Sequence, residues 1–404
     1  MPGRLIRRTW ESDPSRNAPP KHRRACAYAA FVPDLLAEAP MRLDGNLAGL
    51  ISEVEHALGQ LNEDGGAALE PLARLLLRTE SIASSKVEGM QLGVRELARA
   101  EARFESGVLP RAEAVEVLAN IDAMVLAVDE AASVPLFGVS EIEAIHRRLL
   151  EATQYRGIAG RLRTQQNWIG GNDYTPCGAD FVPPPPEDVR GLLDDLCAFI
   201  NADTLPPLLQ AGLVHAQFET IHPFDDGNGR TGRALVHVAL RRRGLVPHFL
   251  PPISVVFAGD RQRYIRGLTS FRGPDVNPWL EQFAVVTMEA ARLARVYILA
   301  VRELQNMWRR LLRSLPNAPR SDATAWLLID HLPAHPMLSA PVAAALTGRS
   351  KVRVYEGIAH LVAAGVLLPL SNGKRNRSWE ASGLLDLIAQ LEAGKLPVTS
   401  PGAR

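Results

Sequence analysis

The chain is short of cysteine, with three in 404 residues (Cys26, Cys177 and Cys197) and no Cys-x-x-Cys pair. That spacing indicates neither a zinc site nor a disulfide framework, and it fits a reducing cytosol. Net charge is also lacking, at +1 near neutral pH, which argues against nonspecific nucleic-acid binding by the whole chain. No apolar stretch approaches the roughly 20 uninterrupted residues of a membrane-spanning helix. The start, Met1-Pro-Gly-Arg-Leu-Ile-Arg-Arg, has no long apolar core of the kind that directs secretion, and Lys21-His-Arg-Arg24 reads as a solvated tail. What remains is 47% hydrophobic and 22% charged, a soluble composition long enough for about two or three domains.

Against that plain background, His222-Pro-Phe-Asp-Asp-Gly-Asn-Gly-Arg-Thr-Gly-Arg233 is dense in chemistry. The Gly227-Asn228-Gly229 turn precedes an apolar helical run, so its amides and the positive end of the helix dipole face an anion, most naturally phosphate. Arg230 and Arg233, three residues apart, share a face on which two guanidiniums can clamp a polyphosphate. Asp226 supplies a hard oxygen for Mg²⁺, and His222 a base that titrates near working pH. An ordinary polar turn capping a helix and a Ca²⁺ loop are the competing readings; against the latter, two arginines follow the glycines and no closing Glu does. His237, between Val236 and Val238, reads as a core or surface residue rather than a ligand.

The run resembles the signature of the Fic family, His-x-Phe-x-Asp/Glu-Gly-Asn-Gly-Arg-x-x-Arg, and all eight fixed positions are met. The resemblance implies transfer of AMP from ATP to a Ser, Thr or Tyr hydroxyl of a protein. His222 would deprotonate the hydroxyl, Asp226 would hold Mg²⁺, Gly227, Asn228 and Gly229 would form the anion hole, and Arg230 and Arg233 would bind the outer phosphates. Phe224 reads as an apolar anchor that pins the loop. Tyr264 lies where the family places a ring against adenine, although a helix face could bury it equally well.

Upstream, Ser84-x-x-x-Glu88-Gly89 resembles the inhibitory motif of Fic proteins that silence themselves from within the same chain. A Glu88 carboxylate paired with Arg233 would occupy the guanidinium that the γ-phosphate needs and would repel the nucleotide. The alternative is simply a helix end capped by Gly89. Residues 167–186, ending in four prolines, read as a hairpin that matches the family's flap, where a target segment is aligned by strand addition. Trp168, Ile169 and Phe181 are either target anchors or the hairpin's own packing face.

Elsewhere residues 1 to 40 look irregular, and helical periodicity then dominates: 43–61, 69–89, 94–104, 111–132, 140–153, 187–201, 205–220, 230–243 (ending at Gly244), a segment from Arg261, and 279–304. From about 305 the order becomes three helices (324–332, 340–346, 350–364) and a hairpin around Asn372-Gly373, the order of a winged helix. Its recognition helix, the last of the three, and its wing would present Lys351, Arg353, Tyr355, Lys374, Arg375 and Arg377. The expected fold is therefore mainly α: an N-terminal helical region (1–106), a Fic-type helical core with a small β-hairpin flap (107–304), and a winged helix-turn-helix domain (305–404). Implied partners are ATP, Mg²⁺ and a target protein, with a homodimer and DNA as further candidates. Two other functions stay open: a DNA-binding regulator with a nucleotide-sensing core, and removal of AMP from a modified protein.

Overall fold

The computed structural model describes residues 3–15, 17–37, 43–63, 70–104, 110–370 and 377–397. It is mainly helical with two small antiparallel sheets. The chain forms two compact units and interleaves between them: 1–55, 122–245 and 261–285 make the first, and 56–121, 246–260 and 286–404 the second. The segments expected to form one N-terminal region and one core thus contribute to both.

In the first unit the elements are β1 (Gly3–Trp10), β2 (Cys26–Pro33), the start of α1 (Gly45–Glu63), the end of α4 (Ala112–Val125), α5 (Val139–Leu150), α6 (Pro186–Asn201), α7 (Pro207–Ile221), α8 (Asn228–Arg242), α10 (Arg261–Phe271) and the start of α11 (Asn277–Arg313). Proline opens α6 and α7, where the first helical N–H has no intrahelical partner to lose. α7 is buried from Leu208 to Ile221, and its polar side chains find internal partners, Gln210 donating to Phe199 O, Gln217 to Asp34 O and Thr220 to Ala216 O. α8 packs along it and stops at Gly244, whose φ of +69° ends the helix as the sequence suggested.

Three expectations fail in this unit. Residues 1 to 40 are not irregular, because β1 and β2 pair antiparallel from Gly3 opposite Pro33 to Trp10 opposite Cys26. β1 is largely exposed and rich in arginine, so it carries no two-residue alternation to read. The flap is not a full hairpin: among the described residues only Ile169 and Phe181 bridge, and Trp168 bonds Asn172 while Asn172 holds Tyr174 and Thr175, so the turn's own side chains replace a ladder. Finally, Cys26 and Cys177 form a disulfide, 151 residues apart in sequence, a separation with no local signature. The expectation of no disulfide is thereby overturned, and the reducing cytosol loses the support it drew from unpaired cysteines.

The second unit holds the end of α1, α2 (Glu70–Val87), α3 (Val94–Phe104), most of α4, α9 (Ile253–Gly259), the rest of α11, α12 (Thr324–His331), β3 (Met337–Ser339), α13 (Ala340–Thr347), α14 (Lys351–Ala363), β4 (Leu367–Pro369), β5 (Ser378–Ala381) and α15 (Leu384–Glu392). The expected three helices are present, and the strands lie in the order β3-β5-β4. Asn372, Gly373, Lys374 and Arg375 lie outside the described residues. Leu76, Trp308, Leu328, Leu361 and Leu385 belong to one continuous buried cluster. Lys86 on α2 donates to Glu392 on α15 at 2.7 Å, and Arg95 on α3 reaches Glu380 and Asp386. Among the described residues no helix is long and apolar enough to cross a membrane.

Candidate active site

The site begins where α7 ends. His222 caps that helix in the left-handed region, at φ 49° and ψ 59°, and among the described residues it is the one non-glycine with positive φ. Such a backbone is unfavourable by roughly 1–2 kcal/mol and persists only where neighbours fix it. Here the His222 amide donates to Phe218 O at 2.9 Å, and its carbonyl accepts from Arg163 Nε (2.9 Å) and Asn167 Nδ2 (3.2 Å). The side chain itself is half-buried.

From His222 the chain reverses within six residues. Phe224 is fully buried and acts as the anchor expected of it. Asn228 ties it down, with Oδ1 accepting from Phe224 N (2.9 Å) and Nδ2 donating to Phe224 O (2.8 Å). Its side chain is therefore occupied in shaping the loop. Gly227, at φ +76°, is the N-cap of α8, so Asn228 and Gly229 already lie in the first helical turn. The first amide bonded back is that of Thr231, to Gly227 O at 3.1 Å, and the earlier ones have no carbonyl within the helix to bond.

Arg230 and Arg233, in the first two turns of α8, are almost wholly buried, while Asp226 is half-exposed. Arg230 Nη2 stands 3.6 Å from Asp226 Oδ2. The arrangement brings an imidazole, a carboxylate, the amides of a helix N-terminus and two buried guanidiniums to one short stretch of chain, a combination suited to an anionic ligand.

Three supporting residues were given no role by motif reading, although Asn167 opens the segment read as the flap. His146 of α5 stacks on Phe224 with ring centroids 3.7 Å apart and planes 5° from parallel. Gly160 N donates to its Nδ1 (2.9 Å), which places the ring proton on Nε2, 2.9 Å from Asp226 O. Burial pulls the His146 pKa down to about 4, so the ring is neutral at physiological pH. Arg163 and Asn167 are the other two. Burial lowers Arg163 to about 10, still charged in ordinary buffers. All three lie far from the motif in sequence, and no local spacing announces them.

The remaining expected residues sit elsewhere. Tyr264 on α10 is buried, and its hydroxyl lies 2.9 Å from His215 Nε2, with the two rings stacked at 5.8 Å. His237 is buried in α8, in keeping with a core role. In the second unit Ser84 is buried on α2, which ends at Val87. Glu88 is exposed on the following turn, and Gly89, at φ +95°, closes that turn. Within the flap, Trp168 meets Trp10 edge to face at 5.6 Å, and Phe181 lies 6.3 Å from the Phe31 ring, with the Arg272 guanidinium 3.7 Å above its own. Those two rings pack against the protein itself, whereas Ile169 is exposed.

Residues 136–240, which run from just before α5 into the motif-bearing helix α8, match the model of the Fic/DOC family. They form a Fic/DOC domain. Residues 49–129 match the N-terminal model of the same family. The chain is 33% identical over 152 residues to protein adenylyltransferase Fic of Nematostella vectensis, covering 37% of this chain and 32% of that protein. It is 34% identical over 140 residues to protein adenylyltransferase fic-1 of Caenorhabditis elegans, covering 32% of this chain and 26% of that one. The chain thus spans about a third or less of the curated relatives it matches. In fold, it is similar to a Fic family protein from Desulfovibrio desulfuricans G20, with a TM-score of 0.52 and 21% identity over 86% of this chain and 98% of the other.

Proposed function

We propose that the chain is an autoinhibited protein adenylyltransferase, moving AMP from ATP to a Ser, Thr or Tyr hydroxyl of a protein target held at the flap. The observation that carries the reading is His222, held in a left-handed turn one short loop before a helix N-terminus whose first two turns bury Arg230 and Arg233. The relatives named as protein adenylyltransferases support it.

In this reading the target oxygen attacks the α-phosphorus in line. The new O–P bond forms as the bond to pyrophosphate breaks, and the hydroxyl proton passes to His222. The amides of Gly227, Asn228 and Gly229 take up the developing negative charge, and Arg230 and Arg233 hold the departing pyrophosphate. Asp226 is the residue suited to Mg²⁺: a half-exposed single carboxylate, with no cluster of three or more His, Cys, Asp or Glu among the described residues. That donor set fits an ion that takes one or two carboxylates and completes its shell with phosphate oxygens and water. Mg²⁺ there would neutralise phosphate charge. Tyr264 would supply the ring against the adenine.

Autoinhibition rests on the Ser84-x-x-x-Glu88-Gly89 motif, with Glu88 competing for Arg233. The reading is tested by labelled-ATP transfer to protein beside a separate measure of ATP affinity. His222→Ala should lower transfer by about a hundredfold or more and leave affinity within about twofold; loss of both together would make His222 structural and sink the assignment.

A second reading concerns the C-terminal segment. We read 324–381 as a winged helix that binds duplex DNA, because α14 carries an exposed face that includes Lys351, Arg353 and Tyr355, with Arg377 exposed on the approach to β5. Binding that weakens steeply with salt, and is lost in Lys351→Ala/Arg353→Ala, is expected. Affinity unchanged by those substitutions would remove this reading.

A further inference from the structure

The backbone of His222 is held by residues outside the signature. Arg163 is 3% exposed, and its guanidinium spans several carbonyls at once. Nε donates to His222 O (2.9 Å), Nη2 to Pro184 O (2.6 Å) and Ile221 O (3.3 Å), and Nη1 to Gln165 O (3.2 Å). Its backbone amide adds a bond to Pro223 O at 2.9 Å. Asn167 completes the hold by donating through Nδ2 both to His222 O (3.2 Å) and to Phe224 O (3.0 Å).

The partners fall into two groups. Ile221, His222, Pro223 and Phe224 form the turn that carries the proposed base. Gln165, Asn167 and Pro184 are the two feet of the flap, on either side of the Ile169–Phe181 bridge. A buried guanidinium can satisfy such a set because its five donors lie in a rigid planar fork, which an ammonium cannot reproduce. Without these donors the His222 carbonyl would lose its partners while its φ remained unfavourable, and the turn would relax.

We infer that Arg163 and Asn167 are positioning residues that lock the feet of the flap to the backbone of His222, so that a target segment seated on the flap and the base that receives its proton keep one fixed geometry. This rests on the reading of His222 as the base. The hold acts on the alignment of hydroxyl and imidazole and not on the anion site, which is built from the amides and arginines of α8. A misalignment of about 1 Å in such a step lowers rate by about a hundredfold, so the signature should be a fall in kcat at nearly constant nucleotide affinity.

The test uses the full chain in a Glu88→Gly background. Asn167→Ala removes one arm of the hold, Arg163→Lys keeps the charge but not the fork, and thermal unfolding identifies any variant that has merely lost its fold. Expected are a ten- to hundredfold fall in kcat for both, affinity for a fluorescent ATP analogue within about twofold, and partial recovery of an Arg163→Ala variant by added guanidinium ion. Independently of activity, the His222 ring resonance in protein labelled at histidine and assigned through His222→Ala should shift or broaden in Asn167→Ala. Parallel losses of kcat, nucleotide affinity and melting temperature, or an unmoved His222 resonance, would overturn the inference. A moved resonance together with a parent that transfers no AMP would instead leave the positioning intact and refute the proposed activity.

Discussion

His146 lies flat against Phe224, centroids 3.7 Å apart, while its Nε2 holds the carbonyl of Asp226. One side chain thus fixes both the apolar anchor of the loop and the residue before its first glycine. Gly227 shows how close the fit is, since a Cβ there would stand 3.3 Å from the His146 ring and 3.1 Å from Leu149.

Replacing His146 by Ala leaves one face of Phe224 uncovered and strands Asp226 O and Gly160 N without their partner. A loss of about 2–4 kcal/mol is expected, from the cavity together with the unmade hydrogen bonds. Denaturant unfolding measures it; a loss below about 1 kcal/mol would show that the stack is incidental.

The same residue sets an acid dependence. The unfolded chain protonates this histidine near 6.5, whereas the folded protein refuses the proton until about 4. Stability contributed by the neutral ring is complete above 6.5 and declines as pH falls through that window, by about 3 kcal/mol at roughly 1.4 kcal/mol per unit. In His146→Gln the decline between pH 6.5 and 4 should shrink by that amount. An unchanged profile would assign acid lability to other groups.

Gly232 packs against Glu219 and Phe218, and an added Cβ would lie 2.7 Å from Glu219 Oε1 and 3.0 Å from the Phe218 ring. Gly232→Ala should therefore destabilise by about 1–3 kcal/mol through overpacking, despite alanine's better helix propensity. A melting temperature equal to or above the parent's would contradict this packing.

Reduction of Cys26–Cys177 should lower stability by about 2–4 kcal/mol, since the bond closes a long loop in the unfolded chain. Thermal unfolding with and without reductant reads it out, and Cys26→Ser should be insensitive to reductant. Cys197 should stay silent, being buried with its thiol pushed up to about 12. Two readily titrated thiols in the untreated protein would show that the bond is not formed.

Much of this was legible in the sequence because it is local. The helix periods of α2, α6, α7 and α8 were readable within about two residues, and the loop from His222 to Arg233 declared its chemistry because its residues are contiguous. What stayed hidden is held together by distant partners. β1 finds β2 across a loop, Cys26 finds Cys177 across most of the first unit, and Arg163 meets His222 only after the chain has folded back. Asn228 shows a subtler gap, since its place in the signature suggested the anion, yet its side chain faces Phe224.

The most direct test is intact mass after wild type, Glu88→Gly and Glu88→Gly/His222→Ala are each incubated with Mg²⁺ and ATP. The account predicts added AMP units on the Glu88→Gly protein, little on wild type and none on the double variant. AMP addition that persists without His222 would contradict the assignment of the base, and a Glu88→Gly protein that modifies neither itself nor any added protein would contradict the transferase.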